Sequence, residues 1–279
     1  MKRILTIQDI SCVGKCSLTV ALPIISACGV ECGVIPTALL AVHTAFPSYT
    51  FTDLTDEISP ITDKFKELNI SFDAVYTGYL GSFEQLALVD SIFSVFASDG
   101  ALKLVDPVMA DNGKLYKGFS LGFVSAMKSL CSKADIIVPN MTEASFMLGT
   151  DYVESGYSES YVKDILKRLC DMGPRCALLT GIGFSDKEIG AYGYDSVKDE
   201  FFCYFNKRLN SYFHGTGDIF ASAFCGAVMR DRSLYDSTRI AVDFTLESME
   251  KTLADPNARD YGVNFEEAIP KLIELVNNN

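Results

Sequence analysis

Short apolar runs alternate with amphipathic stretches through most of this chain. Residues 4–8, 30–36, 74–77, 102–106, 136–139 and 177–180 are the short runs. Each is too brief for a helix and apolar on both alternating faces, which predicts strands buried on two sides. Between them, residues 17–27, 60–68, 83–96, 121–131, 143–148 and 160–172 carry apolar positions at helical spacing. Strand and helix in alternation predict an α/β fold with a mostly parallel central sheet and helices on both faces. After Thr180 the pattern changes. Residues 189–194 and 200–205 read as an antiparallel pair joined through 195–199, an extension at the sheet's edge. Three helices then close the chain, at 217–229, 237–253 and 265–276. The first of these is apolar nearly all round, so it should be buried. No repeat, low-complexity tract or Pro/Ser-rich linker interrupts the pattern, and residues 1–279 are read as one domain.

In a parallel sheet, ligands gather beyond the carboxyl ends of the strands. Those ends are polar here: Asp9 follows the first strand, Thr44 lies in the loop after the second, and Tyr79 follows the third. Asp106 follows the fourth, Asn140 the fifth, and Thr180-Gly181 the sixth. Several independent strand ends that are polar on one side carry more weight than any one alone.

The densest chemistry lies at Tyr212-Phe213-His214-Gly215-Thr216-Gly217-Asp218, which runs directly into the buried helix. Glycines let backbone approach a ligand closely, and a helix N-terminus offers free N–H groups at its positive end. Together they suit an anion such as a phosphoryl group. A carboxylate beside an anion site makes chemical sense if Asp218 takes a proton from an attacking hydroxyl. That points to a small-molecule kinase. The structural alternative is that Asp218 only caps the helix.

Two further segments have double readings. Asp106-Pro107 through Asn112-Gly113 is either ordinary turn chemistry or a carboxylate facing Mg²⁺, followed by a loop that folds over phosphates. Pro139-Asn140-Met141-Thr142-Glu143 has the spacing of a capping box, and Asn140 with Glu143 could also hold Mg²⁺ through water.

Composition and charge narrow the field. With 48% hydrophobic and 22% charged residues, the 279-residue chain can bury a sizeable core. A formal charge of −12 argues against a nucleic-acid or anionic-membrane surface. The apolar run near residues 20–30 is too short and interrupted to span a bilayer, and the basic start lacks a signal peptide's apolar stretch. Nine cysteines without an export signal fit free thiols in the cytoplasm, and their spacing does not make a zinc site. No Walker A motif and no Gly-x-Ser-x-Gly elbow is present. Gly181-Ile182-Gly183 lacks the third glycine and the following helix of a dinucleotide fingerprint.

The motifs Thr77-Gly78-Tyr79-Leu80-Gly81-Ser82, Asp106-Pro107-Val108-Met109, Asp111 through Tyr116, Pro139-Asn140-x-x-Glu143 and Gly215-Thr216-Gly217-Asp218 occur in a significant order. With Ile7-Gln8 and His43-Thr44, the set resembles the pyridoxal kinases of the ribokinase-like superfamily from about residue 4 to residue 253. The resemblance implies a three-layer sandwich, usually a homodimer, that phosphorylates the 5′-hydroxymethyl group of a B6 vitamer with ATP and Mg²⁺. A monovalent cation is a further candidate cofactor. By the same resemblance Asp218 is the base, and Gly215, Thr216 and Gly217 form the anion hole. Asp106, Asn140 and Glu143 serve ATP, with Asp106 and Glu143 toward the metal, and Thr180, Gly181 and Tyr116 touch the nucleotide. Thr44, Tyr79, His43 and Asp9 line the substrate. Asp9 stands where the family commonly has serine, and a carboxylate there could face a ring nitrogen. A hydroxymethylpyrimidine kinase of the same superfamily is the rival reading, and a non-catalytic nucleotide- or B6-binding protein is the alternative from another class.

Overall fold

The computed structural model describes residues 1–96 and 100–278. In chain order the elements are β1 (Arg3–Val13), α1 (Leu18–Ala27), β2 (Glu31–Val42), β3 (Phe51–Asp53), α2 (Thr55–Glu67), β4 (Ala74–Thr77), α3 (Phe83–Phe96) and β5 (Leu102–Val105). There follow β6 (Ala110–Asp111), β7 (Lys114–Leu115), α4 (Leu121–Cys131), β8 (Ile136–Ile137), α5 (Met141–Leu148) and α6 (Glu159–Cys170). The chain closes with β9 (Cys176–Ile182), β10 (Glu188–Asp195), β11 (Glu200–Lys207), α7 (Thr216–Met229), α8 (Leu234–Ala254) and α9 (Phe265–Asn277).

Among the described residues one nine-stranded sheet runs β11-β10-β9-β8-β5-β4-β1-β2-β3. From β9 across to β2 all neighbours are parallel, while β10 and β11 at one edge and β3 at the other are antiparallel. Side chains alternate across each strand, so the sheet feeds two cores. Leu5, Ile7, Val75, Val105 and Leu179 face the cluster under α2 to α6. Ile4, Tyr76, Leu104, Ile136 and Leu178 face the cluster under α1 and α7 to α9. The result is the three-layer α/β sandwich that the alternation predicts. Burying both faces explains why the parallel strands read as nearly continuous apolar runs.

The structure corrects three boundaries that bear on the site. β1 continues to Val13, with a register shift between Gln8 and Ile10, so Asp9 sits at an irregularity within the strand and not beyond its end. β2 likewise runs through Pro36 to Val42; at Pro36 it pairs only with β1, since β3 joins from Ala38, so the strand is locally an edge that tolerates proline. β9 extends to Ile182, which puts Thr180 and Gly181 inside it. Gly181 is skipped in the pairing with β10 and has φ 70°, a left-handed bulge that favours glycine. The helix expected at 60–68 begins at Thr55: Pro60 lies inside it and not at its start. The strands β3, β6 and β7 are too short to leave a periodic signal.

Candidate active site

The helix α7 brings the glycine-rich segment to the carboxyl end of the central strands. Its N-cap is Gly215 at φ 79°, and no side chain caps it, so the first-turn amides of Thr216, Gly217 and Asp218 are left without a capping partner. A side chain at Gly215 would overlap the Lys15 carbonyl, so the loop after β1 packs hard against this helix end. At Gly217 nothing lies within 4 Å of where a Cβ would stand, so the first turn has open room on that side. Asp218 is half-buried, and protein crowds its carboxyl group. That desolvation pushes its pKa up to about 7, the nearby Asp9 adds to it, and the Ser17 backbone N–H opposes it.

On one side of Asp218 lies a second acidic group. Asp106 is 7% exposed at the end of β5. Burial, then Glu143, then Asp218 raise its pKa well above the ordinary range. Burial raises Glu143 to about 8, against backbone N–H groups of Asn140, Met109 and Ala110. The capping box read from the sequence is present: Glu143 N–H donates to Asn140 Oδ1 at 2.9 Å, and Asn140 N–H to Glu143 Oε2 at 2.9 Å. Met109 N–H donates to Glu143 Oε1 at 3.1 Å, and Asn140 Nδ2 donates to the Ala110 carbonyl at 2.8 Å. Asn140 is thereby committed to joining α5 to the Asp106 loop. Thr180 joins them, its N–H donating to Pro139 O at 3.0 Å beside a bridge to Asn140.

Carboxyl groups crowded enough to resist ionisation fit a divalent cation that would neutralise them. Among the described residues no three His, Cys, Asp or Glu side chains converge as a cage. Two carboxyl groups of this kind could serve an ion such as Mg²⁺, which takes few protein carboxylates and keeps most of its waters. The β6–β7 hairpin stands over this region, anchored by Gly113 N–H to Thr142 Oγ1 at 3.0 Å. Tyr116 leaves it 40% exposed, its own N–H held by Met109 O at 2.9 Å.

On the other side, Asp9 is 5% exposed and accepts Ser17 Oγ at 2.6 Å and Ser11 Oγ at 3.3 Å. Ala45 N–H donates to His43 Nδ1 at 3.2 Å, so Nε2 carries the proton and donates to Tyr261 O at 2.9 Å. Both His43 nitrogens are thus spent on backbone, and only its ring surface remains for a ligand. Tyr79 is half-buried with its ring 5.7 Å from Phe119, and after burial Asp9 is the next cause of its raised pKa. Thr44 is exposed, and among the described residues no hydrogen bond ties it to the others.

The sequence reading missed several neighbours. Ser11 and Ser17 were hidden because hydroxyls at strand and helix ends look like ordinary punctuation. Tyr212 donates to Asp111 Oδ2 at 3.1 Å and packs 5.6 Å from His214, which lies 5.6 Å from His43. This bridge between distant loops has no local signature.

The family model for phosphomethylpyrimidine kinase matches residues 22–261. The chain belongs to the phosphomethylpyrimidine kinase family. A Bacteroides thetaiotaomicron protein, described as a candidate member of the same family, is 34% identical in sequence. Its rhombohedral crystal structure has a TM-score of 0.93 and matches over 97% of this chain and 93% of its own. An orthorhombic form of that protein, with pyridoxal, has a TM-score of 0.92 over 97% and 95% of the two chains. The pyridoxal kinase of Lactobacillus plantarum is 28% identical with a TM-score of 0.90, over 99% of this chain and 98% of its own. Among curated relatives, the Dictyostelium discoideum pyridoxal kinase is 26% identical over 249 residues, 82% of this chain and 79% of that protein. This phosphomethylpyrimidine kinase family member is thus a ribokinase-like enzyme related to the pyridoxal kinases, as its motifs imply. No described helix is long and apolar enough to cross a membrane.

Proposed function

We propose that the enzyme transfers the terminal phosphoryl group of ATP to the 5′-hydroxymethyl group of a B6 vitamer. The observation that carries this reading is Asp218: a carboxyl group with pKa about 7, set in the first turn of an uncapped helix with open room beside Gly217. A group poised near neutrality is suited to accept a proton from an alcohol. Phosphoryl transfer asks for in-line positioning and neutralised charge more than covalent help. Gly215 turns the chain so that the Thr216 and Gly217 amides meet the transferring group, while Asp218 deprotonates the attacking oxygen. Asp106 and Glu143 would hold Mg²⁺, which would supply charge neutralisation for the phosphates. Asn140 keeps Glu143 in place, and Thr180, Gly181 and Tyr116 contact the nucleotide. Tyr79, Thr44, Asp9 and the His43 ring border the vitamer, and a monovalent cation beside the nucleotide is a further candidate cofactor.

The whole chain, residues 1–279, acts as one kinase domain on this reading, since both cores share one sheet. Nine free thiols fit a reducing cytoplasm. Leu39, Tyr49 and Phe51, exposed at 41%, 44% and 50% around β3, fit a homodimer contact. Hydroxymethylpyrimidine is the second acceptor to weigh, favoured by the family description itself. A panel of pyridoxal, pyridoxine, pyridoxamine and hydroxymethylpyrimidine with ATP and Mg²⁺, products identified by mass, tests the reading. A phosphorylated B6 vitamer is expected. ATP left unconsumed with every acceptor would sink it, and phosphorylation of the pyrimidine alone would replace it with the rival.

A further inference from the structure

Lysine seldom gives up water, because its flexible stem and strongly hydrated head cost free energy to order and dry. Lys15, in the loop between β1 and α1, departs from this. Its side chain is 16% exposed, against 38–59% for the other ion-paired lysines among the described residues. Lys15 Nζ donates to Asn264 Oδ1 at 3.0 Å and to Glu266 Oε2 at 2.9 Å, and lies 5.9 Å from the centre of the Phe265 ring. Asn264 is set to receive it. Its Nδ2 donates to Asp255 Oδ2 at 3.0 Å and its backbone N–H to Thr252 Oγ1 at 2.7 Å, so the amide oxygen is the end turned to Lys15. The stem has no slack either: a Cβ on Gly262 would come within 2.5 Å of Lys15 Cβ.

The backbone of the same residue bears on the site. The Lys15 carbonyl fills the space where Gly215, the N-cap of α7, would carry a Cβ. Thr19 Oγ1 holds the carbonyls on either side, Gly14 O at 3.1 Å and Cys16 O at 2.8 Å. A second tie runs alongside: His43 Nε2 donates to Tyr261 O at 2.9 Å, and the His43 ring closes on Gly14, where a Cβ would meet Cδ2 at 2.5 Å. Residues 261–266 therefore grip the loop at two adjacent positions, Gly14 through His43 and Lys15 directly. A partly buried ion pair adds little net stability, and its best-attested use is to fix one arrangement of the chain.

We propose that Lys15 is a positioning residue for phosphoryl transfer: anchored on Asn264 and Glu266, it sets where its own carbonyl bears on Gly215, and so where the first turn of α7 stands. The segment leading into α9 thereby acts on the reaction through the loop. The proposal rests on the reading of that first turn as the phosphoryl seat.

Lys15→Met keeps the stem's length and removes the charge and the donors, while Lys15→Arg restores a cation that can reach the same acceptors. Lys271→Met breaks an exposed pair with Glu274 on α9 and controls for the loss of a surface charge. For each, kcat, KM for ATP and for pyridoxal, the fraction of protein that binds nucleotide, and Tm are measured. Lys15→Met is expected to lower kcat about 10-fold per binding-competent molecule with both KM values within about two-fold, because a displaced seat misaligns transfer more than it weakens binding. Lys15→Arg should recover kcat to within about three-fold of wild type, and Lys271→Met should match wild type. A Lys15→Met enzyme with lowered Tm but kcat per binding-competent molecule within about two-fold of wild type would overturn the proposal, since the clamp would then be structural only. So would a KM for ATP raised about ten-fold with kcat intact, which would make Lys15 a nucleotide ligand. Lys15→Arg as slow as Lys15→Met, or Lys271→Met equally slow, would overturn it as well. Gly215→Ala run alongside separates the levels. If it turns over normally, the phosphoryl seat is misplaced and the proposal falls with it; a slow Gly215→Ala beside a normal Lys15→Met removes the proposal alone. If Lys15→Met does not fold, Glu266→Ala decides, because it opens one anchor from the exposed side. A kcat about three-fold lower would support the clamp, and an unchanged kcat would overturn it.

Discussion

Replacing Gly215 with alanine tests the phosphoryl seat at its tightest point. The residue has φ 79°, and left-handed backbone costs a non-glycine residue about 1–2 kcal/mol. Sterics add to this. A Cβ there overlaps the Lys15 carbonyl oxygen, with the carbonyl carbon only 3.1 Å away and Cys16 Cα at 3.8 Å. Both sides of that contact are backbone, so the loop and the start of α7 must part by on the order of 1 Å, and a misplacement of that size can cost about 100-fold in rate. Gly215→Ala is expected to lower kcat about 100-fold, with a stability loss of about 2–3 kcal/mol from strain and displacement combined. Gly149→Ala serves as the control. That glycine also has positive φ, 65°, but nothing lies within 4 Å of its missing Cβ. It should lose about 1 kcal/mol and no activity. Thermal melts report the first quantity, and initial rates of vitamer phosphate formation the second. A Gly215→Ala enzyme that melts early yet turns over normally would refute the placement of the phosphoryl group at this helix end.

Further expectations follow from the same geometry. Gly217→Ala meets no neighbour, so its Tm should hold while a methyl over the first-turn amides raises KM for ATP or lowers kcat; an unaffected enzyme would contradict the open space as the phosphate seat. Asp218 must be ionised to accept a proton, so kcat/KM should fall as pH drops through about 7. Its folded pKa lies above the unfolded value near 4, so its ionisation costs stability fully above about pH 7 and not below pH 4. Asp218→Asn should therefore raise Tm at pH 8 and leave it nearly unchanged at pH 4, and equal shifts at both would contradict the desolvated carboxyl. Asn140→Ala removes the cap on Glu143 N–H and the bond to Ala110 O, so it should cost about 1–2 kcal/mol and raise KM for ATP. An unchanged melt would show that the capping box is dispensable. Chelation by EDTA should stop transfer and weaken stabilisation by ATP, and persistent turnover would exclude the metal role of Asp106 and Glu143.

The layer order and every described helix were legible because burial on both sheet faces imprints apolar runs on strands and 3.6-residue periodicity on helices. Boundaries failed where backbone pairing outlasts side-chain pattern. Nothing local announces that β1 continues past Asp9 or that a bulge carries β9 through Gly181. At the candidate site, Asp218, Asp106, Asn140 and Glu143 could be nominated because each ends a strand or opens a helix in a recognisable motif. Ser17 could not. Its hydroxyl reads as a routine helix start, and only the fold shows it turned to a carboxylate eight positions earlier. His43 was legible as a neighbour of the cleft, but the commitment of both ring nitrogens to backbone depends on Tyr261, far along the chain. The contact from Tyr212 to Asp111 is similarly a product of tertiary closure alone.

The most direct measurement is a single-turnover reaction of Asp218→Asn with pyridoxal, ATP and Mg²⁺, run beside a nucleotide-binding titration. Loss of the proton acceptor should slow pyridoxal 5′-phosphate formation by about 100-fold or more while ATP affinity stays within a few-fold of wild type. Formation at close to the wild-type rate would contradict the account at its centre, since the side chain assigned to deprotonate the hydroxyl would then be unnecessary.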